Sequence, residues 1–540
     1  MFVEYDPTIL LSNILNSKPI QLLKIFFQLL WKIYKEALHK KRNVFTLSIN
    51  FIINFSPVFI WLCIFKNAKY IPNKIRPAIH GKVAFYSDLF LFGDYWQEFE
   101  TQLNTSYFTI LSYYSSTVFF VVVLTLFPII IWWYMYYYRM RYINQKNVST
   151  ASPLHHILNW HTPFDKKTPK STLLPFLILP ISFVLLNIDH YFADQRQNFT
   201  VFKDYLGWVF YVVIHLVAPI LTAVYLYIFQ APGTVKCFSI ALGLQNCCSV
   251  LTHLLIPMAP PWFTHLYGIN DVTHLNYETK GYAAGLVRVD SHLGTHLTSN
   301  GFHKSPIVFG AVPSVHGAMA FQCFLFVMTQ SRQGWGVTAW NPLRNISSSR
   351  LLLLNSKKDD DCEINTFELN NSDGSDSIDL YNTEEDEYER SVYSEQSLSS
   401  ALENDGVSNA SCDLISKYDM TPLPDLTNSN KFTKFIYWLI KNSVISRFLV
   451  SVFLVLQWWA TMYVDHHYRF DLFIGELYAL VSFYLVNRFI LQKKVIPNFL
   501  RKRENKGVYD EDEDDGEDKT MGMRVFGDTK IGWVFDPLYG

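Results

Sequence analysis

Two short segments of this 540-residue chain place histidines beside small or acidic residues. In the second segment, His467 and Asp471 are four residues apart, so on a helix they share a face and their side chains can meet. A carboxylate bonded to one ring nitrogen fixes the tautomer and leaves the other nitrogen as a nucleophile or base. The pair could instead only anchor a helix end. His466, about 100° further round such a helix, is interpreted as structural.

The first segment contains Pro313, Ser314 and His316 within four residues. Proline suits the start of a helix, and the Ser314 side chain can cap it. Free backbone N–H groups at such a start can hold a phosphate, and His316 in the first turn would point at it. The alternative is an ordinary helix cap beside a neutral interfacial histidine, which is preferred if the second segment is ignored.

The elements that hold these segments are predicted to be membrane helices. The chain is 50% hydrophobic and 17% charged, and its acidic residues crowd into residues 357–419 and 510–518, which leaves long segments almost without charge. A net charge of −1 excludes a nucleic-acid protein held by a global basic field. Seven scattered cysteines match neither a zinc site nor a disulfide framework. The composition therefore indicates an all-α, polytopic membrane protein.

About eight segments are long and apolar enough to cross a bilayer, which takes about 20 residues. The predicted spans are residues 44–65, 117–138, 173–188, 206–229, 237–258, 315–329, 447–464 and 470–491.

Basic residues indicate how the spans are oriented. They are concentrated in residues 18–42, in the loop after the second span and in the tail after the eighth. Because cytoplasmic loops are enriched in Lys and Arg, we expect both termini in the cytoplasm and both histidine segments at the lumenal face. An odd number of spans between the segments would have put them on opposite faces, so this agreement supports a single site.

The chain divides into five predicted parts. We expect a cytoplasmic N-terminal segment with an amphipathic helix (1–43), spans one to six with a lumenal loop at 259–306 (44–330), a disordered acidic cytoplasmic insert (331–440), spans seven and eight (441–492) and a cytoplasmic tail (493–540). The insert is too poor in apolar residues to offset its ordering entropy. In the tail, two aromatic-rich pieces within 521–538 could dock elsewhere on the chain.

The two segments, in this order and at the heads of spans on one face, resemble the last two motifs of the type 2 phosphatidic acid phosphatase superfamily. Residues 260–262, 285–290 and 305–311 are similar to the fungal inositol phosphorylceramide synthases. The fungal inositolphosphotransferases are more similar still, through residues 92–96, 243–246, 457–463 and 522–526, and this likeness covers nearly the whole chain.

The resemblance implies a core of the superfamily's fold and a transfer of phosphoinositol from phosphatidylinositol through a covalent phosphohistidine. His467 is the implied nucleophile, oriented by Asp471, and His316 the implied acid and then base. The implied phosphate ligands are Arg288, Ser314, Lys304 and Arg469. No cofactor or metal is implied, and the sequence has no carboxylate cluster suited to Mg²⁺.

Two features depart from the superfamily's pattern. A serine often follows the first histidine, where this chain has Gly317, which removes one potential phosphate donor. The superfamily's earlier Lys-x6-Arg-Pro motif has a literal match at Lys69 and Arg76, much further upstream than usual. We interpret that match as a coincidence, and Arg288 as the better candidate for binding phosphate.

The acceptor implied by the resemblance is mannosyl-inositol-phosphorylceramide, and the implied location is the Golgi membrane, with lipids and no nucleic acid as partners. Ceramide is the alternative acceptor, and a lipid phosphatase is a further alternative. A non-catalytic channel or transporter would need polar residues at several mid-span positions. His215 and Glu476 are the main ones in this chain.

Overall fold

The computed structural model describes residues 27, 44–93, 107–133, 177–193, 199–331, 430–504, 518–526 and 531–537. Within these ranges the chain is helical, and its β pairing is limited to two isolated bridges, His80–Met258 and Met258–Gly310. Apart from Phe27, the predicted N-terminal amphipathic helix lies outside the described residues, as does most of the predicted insert.

Seventeen helices can be numbered in chain order within the described residues. They are α1 (Val44–Phe55), α2 (Ile60–Asn67), α3 (Val83–Phe92), α4 (Tyr107–Trp133), α5 (Ile178–Ala193), α6 (Val201–Trp208), α7 (His215–Phe229), α8 (Thr234–Leu255), α9 (Pro261–Tyr267), α10 (Leu286–Leu293), α11 (Leu297–His303), α12 (Val315–Gln330), α13 (Lys431–Lys441), α14 (Val444–Tyr463), α15 (Arg469–Val486), α16 (Ile496–Glu504) and α17 (Met521–Phe526). A π-helical turn, Val209–Ile214, joins α6 to α7, and another, Asn487–Val495, joins α15 to α16.

Each of the eight predicted spans overlaps a helix of the described residues. Among the described residues, five stretches are long and apolar enough to cross a membrane: Ser48–Tyr70, Val201–Phe229, Thr234–Leu255, Val444–Tyr463 and Arg469–Arg503. The other three predicted spans fall on α4, α5 and α12, whose apolar stretches are shorter. The prediction of a helical membrane bundle is confirmed.

Helix α12 lies at the centre of this bundle. Every residue from Gly317 to Gln330 is buried, as expected for a helix that is apolar all round. The Phe321 ring stacks on Trp458 of α14, with 6.2 Å between ring centroids. The Phe326 ring packs edge-on against Phe238 of α8 and Phe483 of α15, each at 5.1 Å. The core therefore forms around the helix that begins with the first histidine segment.

The heads of α12 and α15 approach closely because two glycines lie between them. A Cβ atom added to Gly475 would lie 2.6 Å from the Ser314 carbonyl oxygen, and one added to Gly317 would lie 2.6 Å from Cδ2 of Leu472. Small residues at helix crossings allow backbones in membrane proteins to come this close. Gly317 therefore has a packing role at the position where the superfamily often has serine.

Residues 256–311, here called the cap segment, cover this end of the bundle. Its first residues form backbone hydrogen bonds with its own end and with the loop before α3. Met258 N–H donates to Phe309 O (2.9 Å), and Ala259 N–H donates to His80 O (3.2 Å). Further along, Gly285 N–H donates to Val464 O at 3.0 Å. The Gly285 bond ties the cap segment to the loop between α14 and α15, and the Ala259 bond ties it to the loop before α3.

The opposite end of the bundle carries the C-terminal pieces. The Arg503 guanidinium donates to both carboxylate oxygens of Asp536, at 2.8 and 2.6 Å, and both side chains are buried. Phe535 stacks on Phe229 at the end of α7, with 5.2 Å between ring centroids. The aromatic pieces of the tail therefore do dock on the chain. The insert was predicted to be disordered up to residue 440. Helix α13 begins at Lys431, so the last ten residues of that range are helical instead.

We predict that Gly475→Ala destabilises the protein by about 1–3 kcal/mol, because the added methyl group meets a backbone oxygen that cannot move aside. Thermal unfolding of the purified protein in detergent measures this. Gly301→Ala is the control, since a Cβ atom there would meet nothing within 4 Å. Equal melting temperatures for the two variants would contradict the prediction.

Candidate active site

The structure brings the two histidine segments together. The ring centroids of His316 and His467 are 5.9 Å apart, although the two histidines lie 151 positions apart in the sequence. The backbone N–H of Ser314 donates to the carbonyl oxygen of Asp471 at 2.9 Å, which joins the head of α12 directly to the first turn of α15. The two segments therefore form one site.

His467 and Asp471 meet, but not on one face of a helix. His467 precedes α15, which begins at Arg469, and Asp471 lies in its first turn. Asp471 Oδ2 lies 3.4 Å from His467 Nδ1 and accepts the Tyr468 N–H at 2.9 Å. The predicted helical geometry of the pair was therefore wrong, and the contact arises because a carboxylate that caps the helix reaches back past its start. Both side chains are buried.

His316 is the second residue of α12. Ser314 caps this helix as predicted, since its Oγ accepts the Gly317 N–H at 3.2 Å. Ser314 is fully buried, and both its hydroxyl oxygen and its backbone N–H take part in these local bonds. The loop before it is held from α8, where His253 Nε2 donates to Pro313 O at 2.9 Å.

Two rings from the α6–α7 helix pack on the His316 ring. Tyr211 stacks on it with centroids 4.4 Å apart and an interplanar angle of 25°. His215 meets it edge-on at 4.8 Å and 62°. Of the two mid-span polar residues noted in the sequence, His215 therefore lies in the site, whereas Glu476 is buried within α15.

The structure gives the Arg469 guanidinium partners other than the site. Its Nε and Nη2 donate to Asp88 Oδ2 of α3 at 3.2 and 2.7 Å, and its Nη1 donates to Asn187 at 3.1 Å. Asp88 also accepts the Phe470 N–H at 2.9 Å, so it caps α15 from outside. The prediction that Arg469 binds substrate phosphate is not supported by this geometry, because each guanidinium nitrogen already has a partner.

Arg288 is held differently. Its Nε donates to Asp204 Oδ1 of α6 at 2.7 Å, and the guanidinium lies 3.9 Å from the centre of the Phe199 ring. Tyr463 OH donates to the same Asp204 oxygen at 2.9 Å. The Nη2 atom of Arg288 has no hydrogen-bond partner within the described residues. Arg288 therefore keeps donor capacity after its ion pair has formed.

Two further cations were considered from the sequence, Lys304 as a phosphate ligand and Arg76 as part of the upstream motif match. Lys304 is exposed at the end of α11. Arg76 donates to the backbone oxygens of Ala68 and Ile71, at 2.8 and 3.2 Å, and lies over the Tyr277 ring. These contacts give Arg76 a role in holding its own loop, consistent with the interpretation of the upstream motif match as a coincidence.

Helix α9 of the cap segment holds the loop that carries His467. The Trp262 N–H donates to Asp465 O at 3.2 Å, and His265 Nδ1 lies 2.8 Å from the Asp465 carboxylate. Thr264 and Tyr468 are joined through their hydroxyl groups at 2.8 Å. The hydrogen bond to Asp465 raises the pKa of His265, against the opposing effect of burial. The segment 260–262, singled out by its resemblance, therefore positions this loop.

Several of these residues had not been found from the sequence. Asp88 follows four apolar residues and a serine within a short helix, and Asp204 lies near the start of a predicted span, so the available signal was an ionisable residue at an apolar stretch. His253 carries the same signal, because it is an ionisable residue within the predicted span 237–258, whereas Tyr211 carries none. Their positions depend on which helix faces lie towards α12.

The chain is similar to several known proteins. Residues 181–344 match the PAP2 superfamily. The chain is 45% identical to Inositolphosphotransferase 1 of Saccharomyces cerevisiae over 528 residues, which is 94% of this chain and 97% of that protein. It is 39% identical to the inositol phosphorylceramide synthase catalytic subunit aur1 of Schizosaccharomyces pombe over 124 residues, 23% of this chain and 29% of that protein.

A bacterial protein is also similar. The phosphoinositol dihydroceramide synthase of Bacteroides thetaiotaomicron is 30% identical over 135 residues, which is 25% of this chain and 42% of that protein. No solved structure matches the chain.

We predict that Asp88→Asn lowers the free energy of unfolding by about 3–5 kcal/mol, because it leaves the buried Arg469 charge without its counter-ion. Transfer activity should fall as well, since Asp88 caps the helix that carries Asp471. Melting temperature and initial rate are measured on the same preparations. Glu278→Gln, at an exposed position of the cap segment, is the control. A fully stable Asp88→Asn protein would refute this account of the pair.

We also predict a pH effect at His265. Its folded-state pKa is raised, so the His265–Asp465 pair stabilises the fold fully below the unfolded value of about 6.5 and loses this contribution as pH rises through the folded pKa. The melting temperature of the wild type should therefore fall more between pH 6 and pH 8.5 than that of His265→Gln. Parallel curves would contradict the prediction.

Proposed function

This chain belongs to the inositolphosphotransferase family, within the PAP2 superfamily, and from that premise we propose that it transfers phosphoinositol from phosphatidylinositol to mannosyl-inositol-phosphorylceramide. The products are mannosyl-diinositol-phosphorylceramide and diacylglycerol. That the chain is a membrane-bound transferase follows from the family. The choice of substrates and the assignment of residues to steps are the proposal.

The observation that carries the proposal is the pairing of His316 with His467 beside Asp471. The histidine rings are 5.9 Å apart, which leaves room for a phosphorus atom to be attacked by one ring while the other serves the leaving oxygen. Asp471 occupies Nδ1 of His467, so Nε2 keeps its lone pair. Two imidazoles on opposite sides of one phosphate can act as nucleophile and as acid or base.

In the first step, His467 Nε2 attacks the phosphorus of phosphatidylinositol. A nitrogen–phosphorus bond forms, and the bond from phosphorus to the diacylglycerol oxygen breaks. His316 gives its proton to that oxygen, so diacylglycerol leaves as a neutral alcohol. Asp471 stabilises the positive charge that His467 acquires on attack.

In the second step, a hydroxyl group of the acceptor attacks the phosphohistidine. His316, now unprotonated, takes the hydroxyl proton as the new oxygen–phosphorus bond forms, and the nitrogen–phosphorus bond breaks. His467 is restored, and His316 holds a proton again for the next cycle. Water must be kept from the intermediate, because it would hydrolyse it. The cap segment over buried His467 supports such exclusion.

The phosphate oxygens need positive partners throughout. The N-terminus of α12 lies beside His316, and helix N-termini favour anions. Arg288 is the proposed side-chain ligand, because Asp204 fixes its guanidinium and one amino group has no partner among the described residues. Lys304, on the exposed end of α11, is proposed to meet the charged headgroup as it enters. Ser314 contributes by holding the start of α12.

The choice of acceptor rests on the extent of the similarity. The relative named an inositolphosphotransferase matches over nearly the whole chain, whereas the ceramide-using synthases match over about a quarter of it. This difference favours the mannosylated acceptor over ceramide. A lipid phosphatase is the remaining alternative within the superfamily.

We propose that the protein lies in the Golgi membrane, with its active site lumenal and its termini cytoplasmic. The polarity of one long helix supports the orientation. His467 precedes its first residue, whereas Lys493, Lys494 and the basic run 501–503 lie at its far end. A stretch of 35 residues is about 50 Å long as a helix, enough to reach across a bilayer. Basic residues favour the cytoplasmic side.

The test is a membrane assay with inositol-labelled phosphatidylinositol, in which either ceramide or mannosyl-inositol-phosphorylceramide is offered. We predict that label moves to the mannosylated acceptor, that His467→Ala abolishes transfer, and that Asp471→Asn slows it by about 10²- to 10⁴-fold. His303→Ala, at an exposed histidine of α11, is the matched control and should transfer normally.

Three other outcomes of this assay would each contradict part of the proposal. Label on ceramide alone would make the chain a first-step synthase, and label only in free inositol phosphate would make it a hydrolase. Transfer that survives His467→Ala would exclude this histidine as the nucleophile, whichever acceptor is used.

A further inference from the structure

The π-helical turn between α6 and α7 places two rings against one histidine of the site. Such turns contain one extra residue, and they occur often at functional sites. Here the turn spans Val209–Ile214, so that Tyr211 lies within it and His215 directly follows it. Both rings contact His316, and they lie 6.3 Å from each other. The inserted residue thus directs two consecutive turns of one helix at the head of another.

Tyr211 also belongs to a longer column of rings. Phe302 of α11 stacks on His466 at 4.6 Å and 21°, and His466 stacks on Tyr211 at 5.0 Å and 12°. Tyr211 in turn stacks on His316, so the column runs from the cap segment to the site. At its middle, His466 Nε2 donates to Ala283 O at 3.3 Å. His466 and Tyr211 are each stacked on two rings, so they have little freedom to rotate.

The chemistry of the column differs along its length. Burial lowers the pKa of His466 to about 3, with the neighbouring His467 adding to the effect, so His466 remains a neutral spacer. His316 is the ring that must gain and lose a proton in the proposed steps. An aromatic face beside an imidazolium stabilises the positive charge, and an offset stack fixes the plane of the ring.

Orientation matters twice for an acid–base histidine in a transfer between two lipids. Its nitrogen must point at the diacylglycerol oxygen when that leaves and at the acceptor hydroxyl when that arrives, while His467 stays on the opposite side. A misplacement of about 1 Å can cost about 100-fold in rate. A ring that is stacked on one side and met edge-on by a second ring keeps one orientation through both steps.

We propose that Tyr211 and His215 are positioning residues that clamp the His316 ring for both proton transfers. The inference rests on the proposed function, because it assigns them an effect only through the acid–base role of His316. Within the described residues, neither Tyr211 nor His215 forms a hydrogen bond or ring contact with Asp471 or with the Asp88–Arg469 pair. Their effect on the nucleophile is therefore indirect.

The test compares Tyr211→Leu and His215→Leu with Tyr211→Phe and His215→Phe, in the full-length protein. We expect each Leu variant to lower kcat by about 10- to 100-fold, with KM for phosphatidylinositol within about threefold of wild type. Each Phe variant keeps an aromatic ring and should restore kcat to within about threefold. Melting temperatures are recorded for all four variants.

Tyr225→Leu is the matched control, because Tyr225 lies on the same helix fourteen residues beyond Tyr211 and packs on Phe229 instead. It should leave kcat unchanged. The inference is wrong if the Leu variants keep kcat, if their loss matches that of the control or only follows a lower melting temperature, or if the Phe variants do not recover. A wild type that transfers no phosphoinositol would instead refute the proposed function itself.

Discussion

The site depends on the contact between the heads of α12 and α15. The Ser314–Asp471 backbone hydrogen bond can form only because Gly317 and Gly475 let the two helices approach, and one Cβ atom at Gly475 would collide with the Ser314 carbonyl. Each helix carries one histidine segment at its head, so the distance between the helices sets the distance between the histidine rings. Packing between small residues, which is local and apolar, therefore determines the geometry of the polar site.

Buried charge organises the surroundings of this contact. Taking a charge out of water is costly unless a counter-ion and hydrogen bonds replace the water. Asp88 and Arg469 satisfy each other almost completely and thereby fix the start of α15. Asp204 satisfies only part of Arg288, which keeps one amino group without a partner in the part of the chain that the structure describes. The same type of ion pair therefore satisfies every guanidinium nitrogen of Arg469 with its neighbours but leaves one nitrogen of Arg288 unbonded within the described residues.

The contact between His467 and Asp471 was predicted correctly, but the helical geometry expected to produce it was wrong. A spacing of four residues predicts that His467 and Asp471 meet on a helix, yet the helix begins after His467. Asp471 instead turns back to accept the Tyr468 N–H and meets His467 from there. The spacing suits both geometries, because one helical turn and one capping turn cover nearly the same number of residues. The sequence alone does not distinguish them.

The sequence predicted the helical membrane class, the apolar segments and the two histidine segments, because a bilayer requires apolar stretches of set length and helices satisfy their backbone bonds locally. It also predicted the Ser314 cap, which needs only three residues. The tertiary structure was needed to pair Arg469 with Asp88, 381 residues away, to pair Arg288 with Asp204, and to place Tyr211 and His215 against His316. These pairings depend on which faces of distant helices meet, and that is set by packing across the whole bundle.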